Sequence, residues 1–337
     1  METTKVKNIE ELRNRVGSKG ATIELLGYYS EGDGGSQESG VFYWEETSTE
    51  ADNHGTIFAV TGVSIGRWKR RFAKNKIYFN WFGARQQDGT YPDNLDILIR
   101  VINYINNTED GHVSVLFTGW YYFSNAVGIP TIIKPFVSFS GDSSRDDNKW
   151  TTSQGTYFEF GNADNFIQSM SINNIEIRGN GSTEPFIKMH NASNFRSNGL
   201  TVYNIGTFLN AGEVGLPAYD IKITNMRYYI ANIGKPIFRL VNGAGFFITD
   251  MSSFTHIEAT APVWNNTSVM NTVPGTNFID VNGNWDTCHL SVLVEKLYKG
   301  LEILSSTNIF EFRIYNSTFD YLRENCIDIS QPNLIAH

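Results

Sequence analysis

The side chains suited to chemistry gather late in this 337-residue chain. Glu258, Asp280, Asp286, Glu295, Glu311 and Asp320 supply carboxyl groups there, and Trp264 and Trp285 supply flat rings. Two carboxyls in unlike environments can divide the roles of acid and base. A tryptophan face can lie against a ligand ring. Nothing in the spacing selects one pair of acids, so no catalytic residue is assigned. Taken singly, each acid reads first as a solvated or turn residue, and each tryptophan as a packing residue. Asp250 is set aside, because it ends a repeated strand where asparagine stands in sister strands.

Other chemistries find less support. Glu31-Gly-Asp-Gly-Gly-Ser36 is turn sequence, without the Gly-Lys-Ser/Thr of a phosphate loop or the alternating acids of a calcium loop. The six histidines show no metal-ligand spacing, so neither metal nor cofactor is expected. Cys288 and Cys326 cannot build a disulfide framework and read as buried thiols. Gly66-Arg-Trp-Lys-Arg-Arg71 is the most basic run. On a chain of net charge −8 it reads as a solvated face or an intersubunit contact, and nucleic acid is not an expected partner.

The elements that must carry the late acids repeat. Ile175 to Gly179, Leu200 to Asn204, Ile221 to Asn225, Phe246 to Asp250, Val292 to Lys296 and Phe312 to Asn316 each read apolar, any, apolar, any, then a small or polar residue. Their last positions step by 25, 21, 25, 46 and 20 residues, and the 46 divides into two steps of 23. Alternating strands at such a period predict a solenoid. A second strand per coil is predicted at Phe186–Met189, Ile237–Leu240, Phe278–Val281, Leu301–Leu304 and Cys326–Ile329. The 34 asparagines suit the corners of a coil, where left-handed backbone is needed. His256 to Thr276 breaks the pattern and reads as an irregular excursion where a ligand could be held.

Ahead of the coils, strands are predicted near 22–29, 40–45 and 55–60, after one or two helical turns at Ile9–Arg13. Leu95, Leu98, Ile99, Ile102 and Ile105 fall on one helical face, so a helix is expected at about 94–106, with Asp93 as N-cap and Asp96 in the capping-box position. Such a helix would cover the open end of a solenoid. Hydrophobic content of 41% against 18% charged residues makes the chain globular. No run approaches the ~20 apolar residues of a membrane span. No leader is visible after Met1, so synthesis in a host cytoplasm is expected.

Phe82-Gly83-Ala84, Asp88-Gly89, the helix after Asp93, Gly119-x-Tyr121 and Ser140-Gly141-Asp142 together resemble the opening of pectate-lyase-superfamily β-helices of bacteriophage tailspike and tail-appendage proteins. Ala51 to Ile57 and Gly66 to Arg70 are similar to the module that leads such proteins. Thr118-Gly119 departs from the family's usual Pro-Gly turn. The resemblance implies an all-β fold, a right-handed parallel β-helix with a capping α-helix and a small N-terminal β module. It places a virion-attachment-like module at 1–81 and the β-helix at 82–337. It also implies a homotrimer on the virion tail, docked to other tail proteins through the module and used in host-surface adsorption, with a surface polysaccharide as partner. The candidate carbohydrate-binding residues are then Glu258, Trp264, Asp280, Trp285, Asp286 and Glu295. Polysaccharide cleavage is the alternative. Carboxyls one coil apart would suit a retaining pair, and carboxyls two coils apart an inverting pair.

Overall fold

Strands of alternating apolar and polar residues wind into three stacked parallel sheets. The structure, a computed structural model, describes residues 4–73, 75–109, 111–142, 148–231, 233–255, 273–295, 297–303, 308–320, 322 and 324–329. The first face stacks Lys76–Tyr78, Val113–Phe117, Val137–Gly141, Ile167–Asn173 and then 192–198, 218–224, 243–249, 285–290 and 309–314. The second face runs from Trp120–Phe123 through Lys149–Thr152 to Thr318–Asp320. The third runs from Phe158–Phe160 to Ile327–Ile329 and includes each of the predicted second strands. The coil is therefore a parallel β-helix.

Period-two alternation fills its interior. Val115, Phe139, Ile172, Ser197, Ile223, Ile248 and Leu290 follow one another inward along the first face, all buried. Ser197 is the polar exception, and its hydroxyl finds no hydrogen-bond partner. Between the first and second faces the backbone turns left-handed at Asn174 (φ 55°), Gly199 (φ 69°), Asn225 (φ 49°) and Asp250 (φ 55°). Asparagine, aspartate and glycine tolerate that conformation best, and Asp250 is a corner residue as expected.

Two expectations need correction. The six similar stretches lie on two columns: 221–225, 246–250 and 312–316 belong to the first face, and 175–179, 200–204 and 292–296 to the second. Alternation looks the same on every face, so spacing alone mixed them. The step of 46 is not two coils. Ile248 pairs directly with Leu290, 42 residues on, whereas Ile223 pairs with Ile248 after 25. One coil is long, and most of the extra chain, 256–272, lies outside the described residues.

The helix Leu95–Asn107 buries Leu98, Val101, Ile102 and Ile105 and packs on the 3-10 turn Phe79–Phe82 at the head of the coil. Its N-cap is Asn94, not Asp93. The buried Asn94 amide instead ties together Arg85, Pro92 and Tyr122, while Asp93 accepts from the Leu95 and Ser124 N–H groups. Among the described residues no helix is long and apolar enough to cross a membrane.

Before the coil, strands 4–6, 22–25, 41–45, 67–70 and 57–59 form a separate five-stranded sheet, in that spatial order. Its glycine-rich loop is organised by Asp33, which accepts four backbone N–H bonds, from Tyr28, Tyr29, Ser30 and Gly35 at 2.6–3.0 Å. Burial raises the Asp33 pKa, but those four bonds outweigh it and hold the carboxyl below its ordinary range. The basic run Arg67–Arg70 is a strand of this sheet, not a solvated face. Arg70 is 3% exposed, its guanidinium lies 4.6 Å from the Phe42 ring and 4.5 Å from the Trp81 ring, and it donates to the carbonyls of Gly35, Ser39 and Gly55. Trp81 donates to the Gln37 carbonyl, Tyr29 to that of Gly83, and Thr118 bonds Gln37. These contacts bolt the module to the first coil.

Candidate functional site

The third face carries its outward side chains on a single column. Arg239, Asp280, Glu302 and Asp328 stand there on four successive coils. Adjacent strands lie ~4.8 Å apart, so the three acids form a ladder. A parallel column starts with Asn277, which pairs with Lys299. The Asn277 amide donates to Asp280 Oδ1 at 2.8 Å and to Glu302 Oε2 at 3.0 Å. Lys299 Nζ donates to Glu302 Oε1 at 2.7 Å and Asp328 Oδ2 at 2.6 Å, and lies 3.8 Å from Glu324. Asn277 and Lys299 are buried, while the carboxyls keep partial access to solvent.

The three acids differ in environment. Burial pushes the Asp280 carboxyl up to about 6, with help from the charge of Glu302 and against the Asn277 hydrogen bond. Glu302 and Asp328 instead meet Lys299 directly. Burial would lower the Lys299 ammonium, but its bonds to Asp328 and Glu302 reverse this and hold it above its ordinary value. Asp280 therefore keeps a proton into the mildly acidic range beside a carboxylate that faces a cation one coil away. An acid that can give a proton, next to an ion-paired carboxylate, is the asymmetry that acid–base cleavage of a glycosidic bond uses. The one-coil step is close to the ~5–5.5 Å of a retaining pair.

The candidates from sequence scatter around this ladder. Asp280 is in it. Trp285 is 1% exposed, packed edge-on to Phe246 with its indole N–H given to the Thr287 carbonyl, so its ring faces cannot meet a sugar. Asp286 is exposed, but beside the first face, and Glu295 lies on the strand of the second face. The strand Asn277–Glu295 bends past all three faces, which parts acids that are close in sequence. Glu258 and Trp264 lie outside the described residues. Glu311 faces His289 and Arg313 on the first face. Of the two cysteines, Cys288 is buried as expected, whereas Cys326 is exposed. Glu302, Asp328, Asn277 and Lys299 were not predicted. Their signal is a motif repeated on successive coils: Asn277-x-x-Asp280, Lys299-x-x-Glu302 and Asn325-x-x-Asp328. Among the described residues no group of three His, Cys, Asp or Glu side chains is arranged to hold a metal ion.

Residues 5–73 match a family described as a phage tail protein small four-stranded beta-sheet domain. No curated protein sequence matches the chain. The fold is similar to that of tailspike protein gp49 from Acinetobacter baumannii bacteriophage Fri1, a capsular polysaccharide depolymerase. There the TM-score is 0.56 at 13% identity, over 93% of this chain and 62% of that one. It is also similar to the enzymatically active domain of tailspike protein 2 from bacteriophage CBA120, with a TM-score of 0.53 at 12% identity, over 94% of this chain and 52% of that one. The chain thus spans about half to three-fifths of the length of these proteins. It has the right-handed β-helix fold of bacteriophage tailspikes, headed at residues 5–73 by a phage tail domain.

Proposed function

We propose that the chain is a bacteriophage tail appendage that engages a polysaccharide on the host surface. The observation that carries this reading is the phage tail domain at 5–73 bolted by buried contacts to a tailspike-type β-helix. In this reading the module, taken as 1–81, docks to other tail proteins. The β-helix, taken as 82–337, presents its faces to the glycan. The chain assembles in the host cytoplasm, acts as a homotrimer and resides on the tail of the virion. Immunogold labelling of purified virions with antibody to this protein tests the placement, and the expected outcome is label on the tail. Label absent from virions would overturn it. Light scattering of the purified protein is expected to give three times the 38.0 kDa chain mass.

A second reading, polysaccharide cleavage on the same scaffold, is favoured by the Asp280–Glu302 ladder. In that reading Asp280 donates the proton to the leaving oxygen, and Glu302 is the partner carboxylate. Incubation with polysaccharide extracted from host cells is expected to shorten it, and Asp280→Asn or Glu302→Gln is expected to abolish the shortening. Chains of unchanged length with the wild-type protein would leave the appendage as a binder only.

A further inference from the structure

The second face differs from the other two in what it turns outward. One row reads Trp120, Lys149, Glu176, Thr201 and Arg227, and the row beside it Tyr122, Thr151, Arg178, Tyr203 and Tyr229. Tyr203 and Tyr229 stack in parallel, with centroids 4.4 Å apart and planes within 4°. The Arg178 guanidinium continues the stack, 5.5 Å from the Tyr203 ring and 5.7 Å from Trp120, and Lys149 Nζ lies 5.7 Å from Trp120. Glu176 is the one acid in these rows. It is 5% exposed and held by Arg178 at 2.5 Å, so its charge is already met. Lys149 and Arg227 meet no carboxylate among the described residues. On a chain of net charge −8, this face is a local excess of positive charge laid over aromatic rings.

We infer that this second face, through Trp120, Lys149, Arg178, Tyr203, Arg227 and Tyr229, is a docking surface for an acidic, uronate-bearing polysaccharide. The inference rests on the glycan-binding reading above and adds the face and the charge class of the ligand. The physical warrant is complementarity. Sugar rings pack on aromatic side chains, and carboxylates along a polymer pair with cations that repeat at the ~4.8 Å strand step. The acid ladder of the third face would repel the same polymer. That separates the two surfaces in function. Contacts made by charge and stacking are tolerant of sugar stereochemistry, so unrelated uronate polymers serve as probes.

The test uses the full chain on sensor surfaces bearing polygalacturonate, alginate, hyaluronan, fully methyl-esterified polygalacturonate, single-stranded poly(dT), and polysaccharide extracted from host cells. The expected result is binding to the uronate polymers that weakens with added salt and is lost on the methyl ester. The variant Lys149→Glu/Arg227→Glu, whose two side chains hold no ion pair in the fold, is expected to bind ~tenfold or more weakly, with an unchanged melting temperature. If that variant misfolds, Lys149→Gln/Arg227→Gln answers the same question. Equal binding of ester and acid, or undiminished binding by the folded variant, overturns the inference. Preference for poly(dT) overturns it in favour of nucleic acid. Retention of a neutral host glycan without the uronate polymers sinks this inference alone, and retention of no glycan at all sinks the glycan reading with it.

Discussion

Replacing Asp280 by asparagine isolates the energetic cost of the acid ladder. Asp280 has an ordinary pKa of 3.8, raised in the fold to about 6. A group raised on folding contributes stability that is complete below its unfolded value and is lost as pH rises through its folded value. The native coils should therefore be more stable below pH 4 than above pH 6 as far as this residue is concerned. The displacement is worth at most about 3 kcal/mol. Solvent reaches part of the carboxyl, so ~1–2 kcal/mol is the expected size. Asparagine keeps an oxygen to accept the Asn277 hydrogen bond and carries no charge to bury. Asp280→Asn is thus expected to strengthen the local fold by ~1–2 kcal/mol at pH 8 and to match the wild type below pH 4. Native-state hydrogen exchange of the amides in 277–281 and 299–303, corrected for intrinsic rates, reads the effect where it arises. A variant less stable than wild type at pH 8, or a gap that persists unchanged at acid pH, would refute the reasoning. A native residue that costs stability where it stands is a mark of a site kept for function.

Three further substitutions test the scaffold. Ser197→Ala is expected to stabilise the coil by ~1 kcal/mol, because it removes an unpaired buried hydroxyl between Ile172 and Ile223; chemical denaturation measures it. At the left-handed corner Asn225→Ala should cost ~1–2 kcal/mol and Asn225→Gly less, since only the alanine adds strain there; the ratio of their unfolding rates is the readout. Arg70→Met strands the carbonyls of Gly35, Ser39 and Gly55 and should cost ~3–5 kcal/mol, seen as proteolytic cleavage near residues 70–76. Resistance equal to wild type would mean that the seam is held elsewhere.

What the sequence displayed and what it hid follow from local and non-local physics. Alternation is local, so the inward residues of each strand, the second strands from Phe186 to Ile329 and the covering helix were legible. Which face a strand joins is not local. That is why Leu200–Asn204 and Ile221–Asn225 looked like neighbours in one column while they lie on different faces. Charge patterning misled at Arg67–Arg70, because a run of cations gives no sign that carbonyls and rings await it in a buried seam. The candidate site was half legible. Asp280 stood out as an acid in a strand, but its partners depend on register. Asn277 meets Lys299, and Asp280 meets Glu302, only when the coils are stacked with an offset of 22 residues. Trp285 was a plausible sugar platform by type alone, and alternation then assigned its ring to the core.

The central claim is that this chain recognises the host surface on behalf of a phage tail, and competition for adsorption tests it most directly. Purified protein is added in increasing amounts to host cells before phage, and unadsorbed phage is counted. The account predicts a dose-dependent rise in unadsorbed phage, abolished when the added protein is first mixed with polysaccharide extracted from the host. Adsorption unaffected by a saturating excess of correctly folded protein would contradict it.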